Sequence, residues 1–328
     1  MHRMPTRRWA AGLAAGLALL GLAAQARAQD YPARPVTLVV WTAPGGSIDV
    51  LSRMVAEKLS QRWKQPVVVE NKPGASGIPA SEYVARAPAD GHTLLVTINT
   101  THINNPVLRS KLPYDPVRDF EPVSQLAIGS VVLIAPAAHP ADNVAELLAL
   151  AGRKGTSVSY GSWGIGSSAH LFGELLRRRS GVDLVHIAYK GEMPAITDML
   201  GGHLDVTFAG GGTTRAQLPG GKIKVLGITG PRRIRALPGV ATFAEQGLPG
   251  FELAGWVAVY APARTPKALV HRIAADLAEV VAAPDVQARM IENGFEPVGS
   301  TPEQFEALYK AEYPKWAELI KASGAATE

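Results

Sequence analysis

Two stretches of the chain combine glycines, hydroxyl side chains and a helix start in a way that suits the capture of an anion. The first is Pro44-Gly45-Gly46-Ser47-Ile48-Asp49, and the second is Gly161-Ser162-Trp163-Gly164-Ile165-Gly166-Ser167-Ser168. Each follows a short run that reads as a strand, at 36–41 and 157–160, and precedes a helical pattern. Glycine lets the backbone approach a ligand closely. A helix beginning there aims its unbonded N–H groups and the positive end of its dipole at one point. Ser47, Ser167 and Ser168 add donors. Two such junctions facing each other would hold a small carboxylate from both sides. Taken singly, each also reads as a tight turn with a capped helix. Asp49 suits a helix start in any case, and it tempers the positive field there.

Further candidates lie at equivalent edges. Thr97 and Thr100, with Asn99, Thr101 and His102, follow the strand expected at 93–98. Side chains at the C-terminal ends of strands line the crevice of open α/β sheets. Gly210, Gly211 and Gly212 form a third flexible turn after Phe208. Trp41 and Trp163 adjoin the two glycine turns and suit either the core or a pocket wall.

Several chemistries find no support. The second glycine stretch lacks the lysine of a phosphate loop and the spacing of a dinucleotide fingerprint. It does not match G-x-S-x-G either. His170 falls inside the helix, three residues from Ser167, and no coupled nucleophile and base stands at motif spacing, so no catalytic residue is assigned. The eight histidines are scattered, without H-E-x-x-H or an acidic repeat, and no metal site is expected. There is no cysteine, which removes thiol catalysis, disulfides and the lipid anchor of a bacterial lipoprotein. No cofactor is expected.

The elements that would position these residues follow a repeated order of strand, glycine turn and helix. Helical spacing recurs at Val50, Leu51, Met54, Val55 and Leu59, and strands are expected at 67–69 and 93–98 with a helix at 81–86 between them. Residues 99–120 read as an irregular connection. The same order returns with helices at 144–150, 168–179 and 194–200 and strands at 157–160, 185–187, 206–208 and 224–228. Runs at 131–135 and 253–260 read as crossings between two lobes. Thr265-Pro266 is expected to cap a late helix, Thr301-Pro302-Glu303-Gln304 to open the last one as a capping box, and Pro314 to kink or interrupt it. The fold class is therefore α/β: two lobes of type II binding-protein kind, each a mostly parallel sheet flanked by helices, joined by a two-strand hinge. Lobe 1 is expected at 29–125 plus 253–328, and lobe 2 at 126–252, with the ligand in the cleft between them.

The first 28 residues read as a signal peptide. Arg3, Arg7 and Arg8 precede an apolar run at 10–24 and the small-x-small site Ala26-Arg27-Ala28. That run falls short of the roughly 20 residues needed to span a bilayer. Its removal takes away four arginines and no acid, so 33 basic residues become 29 against 28 acids. The formal charge of +5 thereby falls to about +1, and a nucleic-acid or anionic-membrane surface has no support.

The residues as a set resemble a known family. Asp30-Tyr31-Pro32-Ala33-Arg34-Pro35 with Ala43-Pro44-Gly45-Gly46, PVVVENKP at 66–73, APADGHTLL at 87–95 and LPYDPVRDF at 112–120 are similar to the Bug family. So are Tyr189-Lys190-Gly191, Leu237-Pro238-Gly239-Val240, EQGLPGF at 245–251 and APARTP at 261–266. The Bug proteins are periplasmic receptors of tripartite tricarboxylate transporters. The resemblance implies a two-lobe receptor that closes on di- or tricarboxylates, acidic amino acids or aromatic carboxylates, held by backbone N–H groups, hydroxyls and bridging water. It implies an exported, periplasmic monomer without a lipid anchor, serving membrane permease subunits. A sensing protein with a signalling partner, and less readily a secreted hydrolase, are the alternatives. Carried over by motif, the pocket residues are Gly45, Gly46, Ser47, Thr97, Thr100, Gly166, Ser167 and Ser168, with Trp163, Ala209 and Gly210 at the adjoining turns. Ala209 stands where many relatives carry an aspartate, and Trp41, Thr42, Trp163 and Ile165 are unusual at their positions. These departures imply a pocket without an acid, more apolar and less suited to a ligand ammonium.

Overall fold

The computed structural model describes residues 31–325. The signal-peptide segment lies outside them.

Strand β1 (Val36–Val40) is a run of β-branched residues and leucine, and all but Thr37 are buried. Such a run suits a strand covered on both faces. It pairs in parallel with β2 (Val67–Asn71) on one side and β3 (Thr93–Ile98) on the other. Helix α1 (Ser47–Trp63) connects β1 to β2 and buries Leu51, Met54, Val55 and Leu59. The helix expected at 81–86 begins earlier, as α2 (Ile78–Ala85). The irregular connection that follows contains a wide helical turn, Thr100–Asn104, and the single turn α3 (Asn105–Leu108).

β4 (Phe120–Gly129) ends the outward course of the first sheet. β10 (Gly255–Pro262) and β11 (Phe295–Pro297) complete it in the order β11-β4-β10-β3-β1-β2. β10 lies antiparallel between β3 and β4, and β11 is antiparallel to β4. The sheet is thus mixed, with β1 to β4 running one way and β10 and β11 the other.

The chain changes sheets at Ser130, between β4 and β5 (Val131–Pro136). The second sheet has the order β7-β6-β8-β5-β9, formed with β6 (Val158–Ser162), β7 (Leu184–Ala188), β8 (Val206–Gly210) and β9 (Ile223–Ile228). Its β5 is antiparallel to both neighbours, and β6 is parallel to β7 and β8. The covering helices are α4 (Val144–Ala151), α5 (Ser168–Ser180), α6 (Glu192–Leu200) and α7 (Gly211–Gln217). α7 occupies the place where a flexible glycine turn was expected.

The two crossings run side by side. Gly129 pairs with Gly255, the Thr229 N–H donates to the Val131 carbonyl at 2.8 Å, and Gly230 N–H donates to Phe251 O at 2.7 Å.

The closing helices are α8 (Lys267–Ala282), α9 (Pro284–Glu292) and α10 (Pro302–Ser323). Thr265 does not cap α8; its hydroxyl donates to Pro262 O, and Pro266 takes the capping position. The capping box of α10 forms between Thr301 and Gln304. Pro314 does not interrupt α10, which continues through it. Phe305 of its first half packs on Trp256 and Tyr260 of β10, while Trp316 of its second half meets Phe172 of α5. One helix therefore packs on both lobes, and burial of Trp316, Leu319 and Ile320 holds its course past the proline.

Candidate functional site

The two glycine junctions meet at one place. A cavity of about 50 Å³ lies between the lobes, and Ser47 at the start of α1 and Ser168 at the start of α5 both border it. First-turn N–H groups have no intrahelical acceptor, so both helices aim backbone donors and dipole toward this space. Gly45, with φ of +83°, makes the turn into α1, and Gly46 caps it with extended backbone. Ser47 is the first helical residue and does not cap. Ser167 does cap α5, its hydroxyl accepting the His170 N–H at 3.3 Å.

Asp49 closes the α1 turn from inside the helix. It accepts the Gly45 N–H at 3.0 Å, the Asn71 amide at 2.9 Å and the Arg53 guanidinium at 2.9 Å. Burial alone would raise its pKa; the hydrogen bonds from Arg53, Gly45 and Asn71 outweigh this and hold it below the usual range. The carboxylate is thus committed to its own lobe.

A second carboxylate reaches the same helix start from the other lobe. Glu192, the first residue of α6 and 7% exposed, places Oε2 within 3.1 Å of Ser47 Oγ and 3.4 Å of Ser47 N. Thr213 Oγ1 of α7 donates to the same oxygen, and the two hydroxyls are 2.8 Å apart. The other oxygen, Oε1, has no hydrogen-bond partner among the described residues, and Glu192 borders the cavity. Gly210, also on the cavity, leaves room for this carboxylate: a Cβ there would lie 3.2 Å from Oε1 and 2.3 Å from Ser47 Oγ. The expectation of a pocket without an acid is therefore corrected. Ala209 supplies none, but Glu192 brings one from the start of the preceding helix.

Around the α5 junction, lobe 1 supplies amides. Asn99 Nδ2 lies 3.2 Å from Ser168 Oγ, Asn104 Nδ2 donates to Gly166 O at 2.9 Å, and Ser76 Oγ donates to Ile165 O. Trp163 and Trp256 complete the apolar wall. They are 6% and 1% exposed, and their indole N–H groups have no partner. Buried donors are nearly always satisfied, so two orphans on one cavity are notable.

Of the residues expected at the site, Ser47, Trp163, Ser168 and Gly210 border the cavity. Gly45, Gly46, Gly166 and Ser167 lie in the same turns, one or two residues away. Thr97, Thr100 and Ala209 are buried without bordering it. Thr97 bonds to Thr101 at 2.7 Å, and Ala209 packs in the core of the second sheet opposite Val132. Trp41 packs against Gly77 in lobe 1. Glu192, Thr213, Ser130 and Trp256 were not singled out from the sequence. An acid at the first turn of a helix is the one local signal Glu192 offers, and it suits any helix.

A serine–histidine pair does occur, 2.7 Å apart, between Ser162 and His186. It does not border the cavity, and among the described residues no carboxylate pairs with His186. Burial, and then the neighbouring His170 ring at 4.1 Å, push the His186 pKa down to about 3. A base that weak is mismatched to serine activation near neutral pH. Among the described residues no group of three or more metal-ligating side chains occurs, and no helix is long and apolar enough to cross a membrane.

Comparison with known proteins fits this arrangement. A UPF0065 protein from the tcbD-tcbE intergenic region of Pseudomonas sp. (strain P51) is 37% identical over 315 residues, covering 96% of this chain and 93% of that one. The solved structure of the periplasmic binding protein BugD superposes with a TM-score of 0.86 at 35% identity, over 91% of this chain and 100% of that one. The R. palustris protein Rpa4515, solved with adipate, gives a TM-score of 0.87 at 33% identity, over 90% and 99%. The two solved structures share the two-lobe fold, and BugD is a periplasmic binding protein. The model of the tripartite tricarboxylate transporter family receptor matches residues 51–325, and the chain belongs to that family.

Proposed function

We propose that this chain is an exported receptor that closes its two lobes on a small carboxylate and presents the closed form to membrane permease subunits. The observation that carries the reading is the meeting of two helix starts, at Ser47 and Ser168, on one cavity whose wall also includes Trp163 and Trp256, both with unpartnered buried indole N–H groups. Each lobe contributes one helix start, so neither lobe alone completes the site. The adipate bound by Rpa4515 is of the same ligand class.

The moving units are the two lobes, with the boundary expected at 125/126 and 252/253 shifted to the change of sheet: residues 31–129 with 255–325, and residues 130–254. The change of sheet at Ser130 and the paired crossing at Gly129 and Gly255 support a hinge there. A volume of about 50 Å³ is far below the roughly 300 Å³ of an ordinary small-molecule site, so binding requires the lobes to part. The pocket residues are Ser47, Trp163, Ser168 and Gly210, with the backbone of Gly45, Gly46, Gly166 and Ser167 shaping the turns. The receptor acts as a periplasmic monomer.

Thermal unfolding against a panel of carboxylates, amino acids and nucleotides tests this. A ligand that binds only the folded state stabilises it by about 2.7 kcal/mol at a hundredfold excess over Kd. A shift confined to carboxylate-bearing compounds, with each recovered intact by NMR, supports the receptor. Consumption of a panel member, or a shift with nucleotides alone, would overturn it.

A further inference from the structure

Glu192 is a buried carboxylate without a cation. Among the described residues it has no ion-pair partner, and three neutral donors from Ser47 and Thr213 converge on Oε2 alone. Burying an ionised carboxylate is costly unless it is paired and fully hydrogen-bonded. Its free oxygen belongs to a residue on the wall of the cavity where the ligand is proposed to sit. The same wall carries the opposite chemistry: the indole N–H groups of Trp163 and Trp256 are buried donors lacking an acceptor. The three residues share one cavity wall, which is apolar at its surface in this closed form; a parting of the lobes that exposed their polar atoms would present one group in need of a donor and two in need of an acceptor.

From this polarity we propose that Glu192 is a specificity-determining residue that selects a monocarboxylate bearing an ammonium or hydroxyl group and rejects dicarboxylates. The inference rests on the carboxylate-receptor reading above. The ligand carboxylate accepts from the indoles and from the start of α5, and its donor end meets Glu192 Oε1. An ammonium is favoured over a hydroxyl because it also supplies the missing charge. A second ligand carboxylate would stand beside the buried Glu192 carboxylate, where like charges are less screened than in bulk water. The start of α1 offers that second carboxylate little relief, since Ser47 and Gly45 already donate to Glu192 and Asp49. Rpa4515, by contrast, was solved with adipate, a dicarboxylate.

Calorimetric titration of the purified receptor with matched compounds of three to six carbons reads the selection directly. For each length the set is the plain monocarboxylate, its ω-hydroxy and ω-amino derivatives, and the dicarboxylate. At the best-fitting length the ω-amino compound is expected to bind at least tenfold more tightly than the dicarboxylate. Glu192→Gln should abolish that ratio and tighten the dicarboxylate at least tenfold, whereas Glu192→Asp, which keeps the charge, should still reject it. A dicarboxylate that binds wild type as well as the amino compound, or a ratio unmoved in Glu192→Gln, would overturn the proposal. Binding by no carboxylate of any length would overturn the receptor reading itself, and the proposal with it. Should Glu192→Gln fail to fold, the wild-type ratio and Glu192→Asp decide the matter.

Discussion

Ser47 joins the lobes through one hydroxyl, which reaches Glu192 at 3.1 Å and accepts the Thr213 N–H at 3.2 Å. Ser47→Ala removes a donor from a buried charge, and such losses cost about 1–3 kcal/mol. Urea unfolding of the ligand-free protein should show a loss of about 2 kcal/mol; no change would mean that water replaces the hydroxyl. A second prediction at this scale concerns buried histidines. Burial pushes His102 down to about 3, and burial with His170 does the same to His186, against an ordinary 6.5. The unfolded chain then binds protons below about 6.5 that the native state refuses. Stability is complete above that pH and falls as pH drops toward 3, by up to about 1.4 kcal/mol per unit for each histidine. The depressed carboxyls, such as Asp49, add their losses only at lower pH, since their ordinary value is 3.8. Melting temperature should therefore be flat from pH 7 to 8 and fall between 6 and 4, and His186→Asn should flatten that fall.

At the scale of elements, α10 offers the sharpest test. Pro314 supplies no N–H to the Lys310 carbonyl, and it lies between the half of the helix that packs on β10 and the half that packs on α5. Pro314→Ala restores a hydrogen bond at a position where proline costs up to about 3 kcal/mol, so the melting temperature should rise. If the variant also binds ligand more weakly, the softer helix assists lobe movement. The sequence made much of this layer readable. Alternating apolar runs and helical spacing located β1, β3, α1 and α5 because those elements are stabilised by their own patterns. The Thr301 capping box was readable for the same reason, being complete within four residues. The interruption expected at Pro314 does not occur because the rule for proline is local, while the burial of Trp316 and Ile320 that carries the helix past it is tertiary. Glu192 escaped notice for a related reason: its partners are 145 residues earlier and 21 later, and nothing in its own helix announces either. The two glycine turns were identifiable as features, but only the fold brings Ser47 and Ser168 to one cavity.

For the molecule as a whole, closure depends on bare backbone. Gly211 and Gly212 of lobe 2 lie against Gly294 and Asn293 of lobe 1, and a Cβ at Gly212 would lie 2.4 Å from the Asn293 carbonyl oxygen. Gly212→Ala should hold the lobes apart with little change in fold. Small-angle scattering with saturating ligand should then show a larger radius than wild type, and affinity should drop by tenfold or more. Exposed ion pairs at the same rim, Arg215 with Glu292 and Arg235 with Glu296, contribute little by comparison, as surface pairs generally do.

Trp163 and Trp256, bordering the cavity from the two lobes, also make the receptor its own optical gauge. Indole emission shifts to shorter wavelength when the ring leaves water. Parting of the lobes would wet these two rings, while Trp41 stays packed in its core. Ligand-driven closure should thus be visible as a blue shift of intrinsic fluorescence, without any label. Replacing Trp163 with Phe should remove much of that signal, which makes emission a direct clock for how fast the lobes come together.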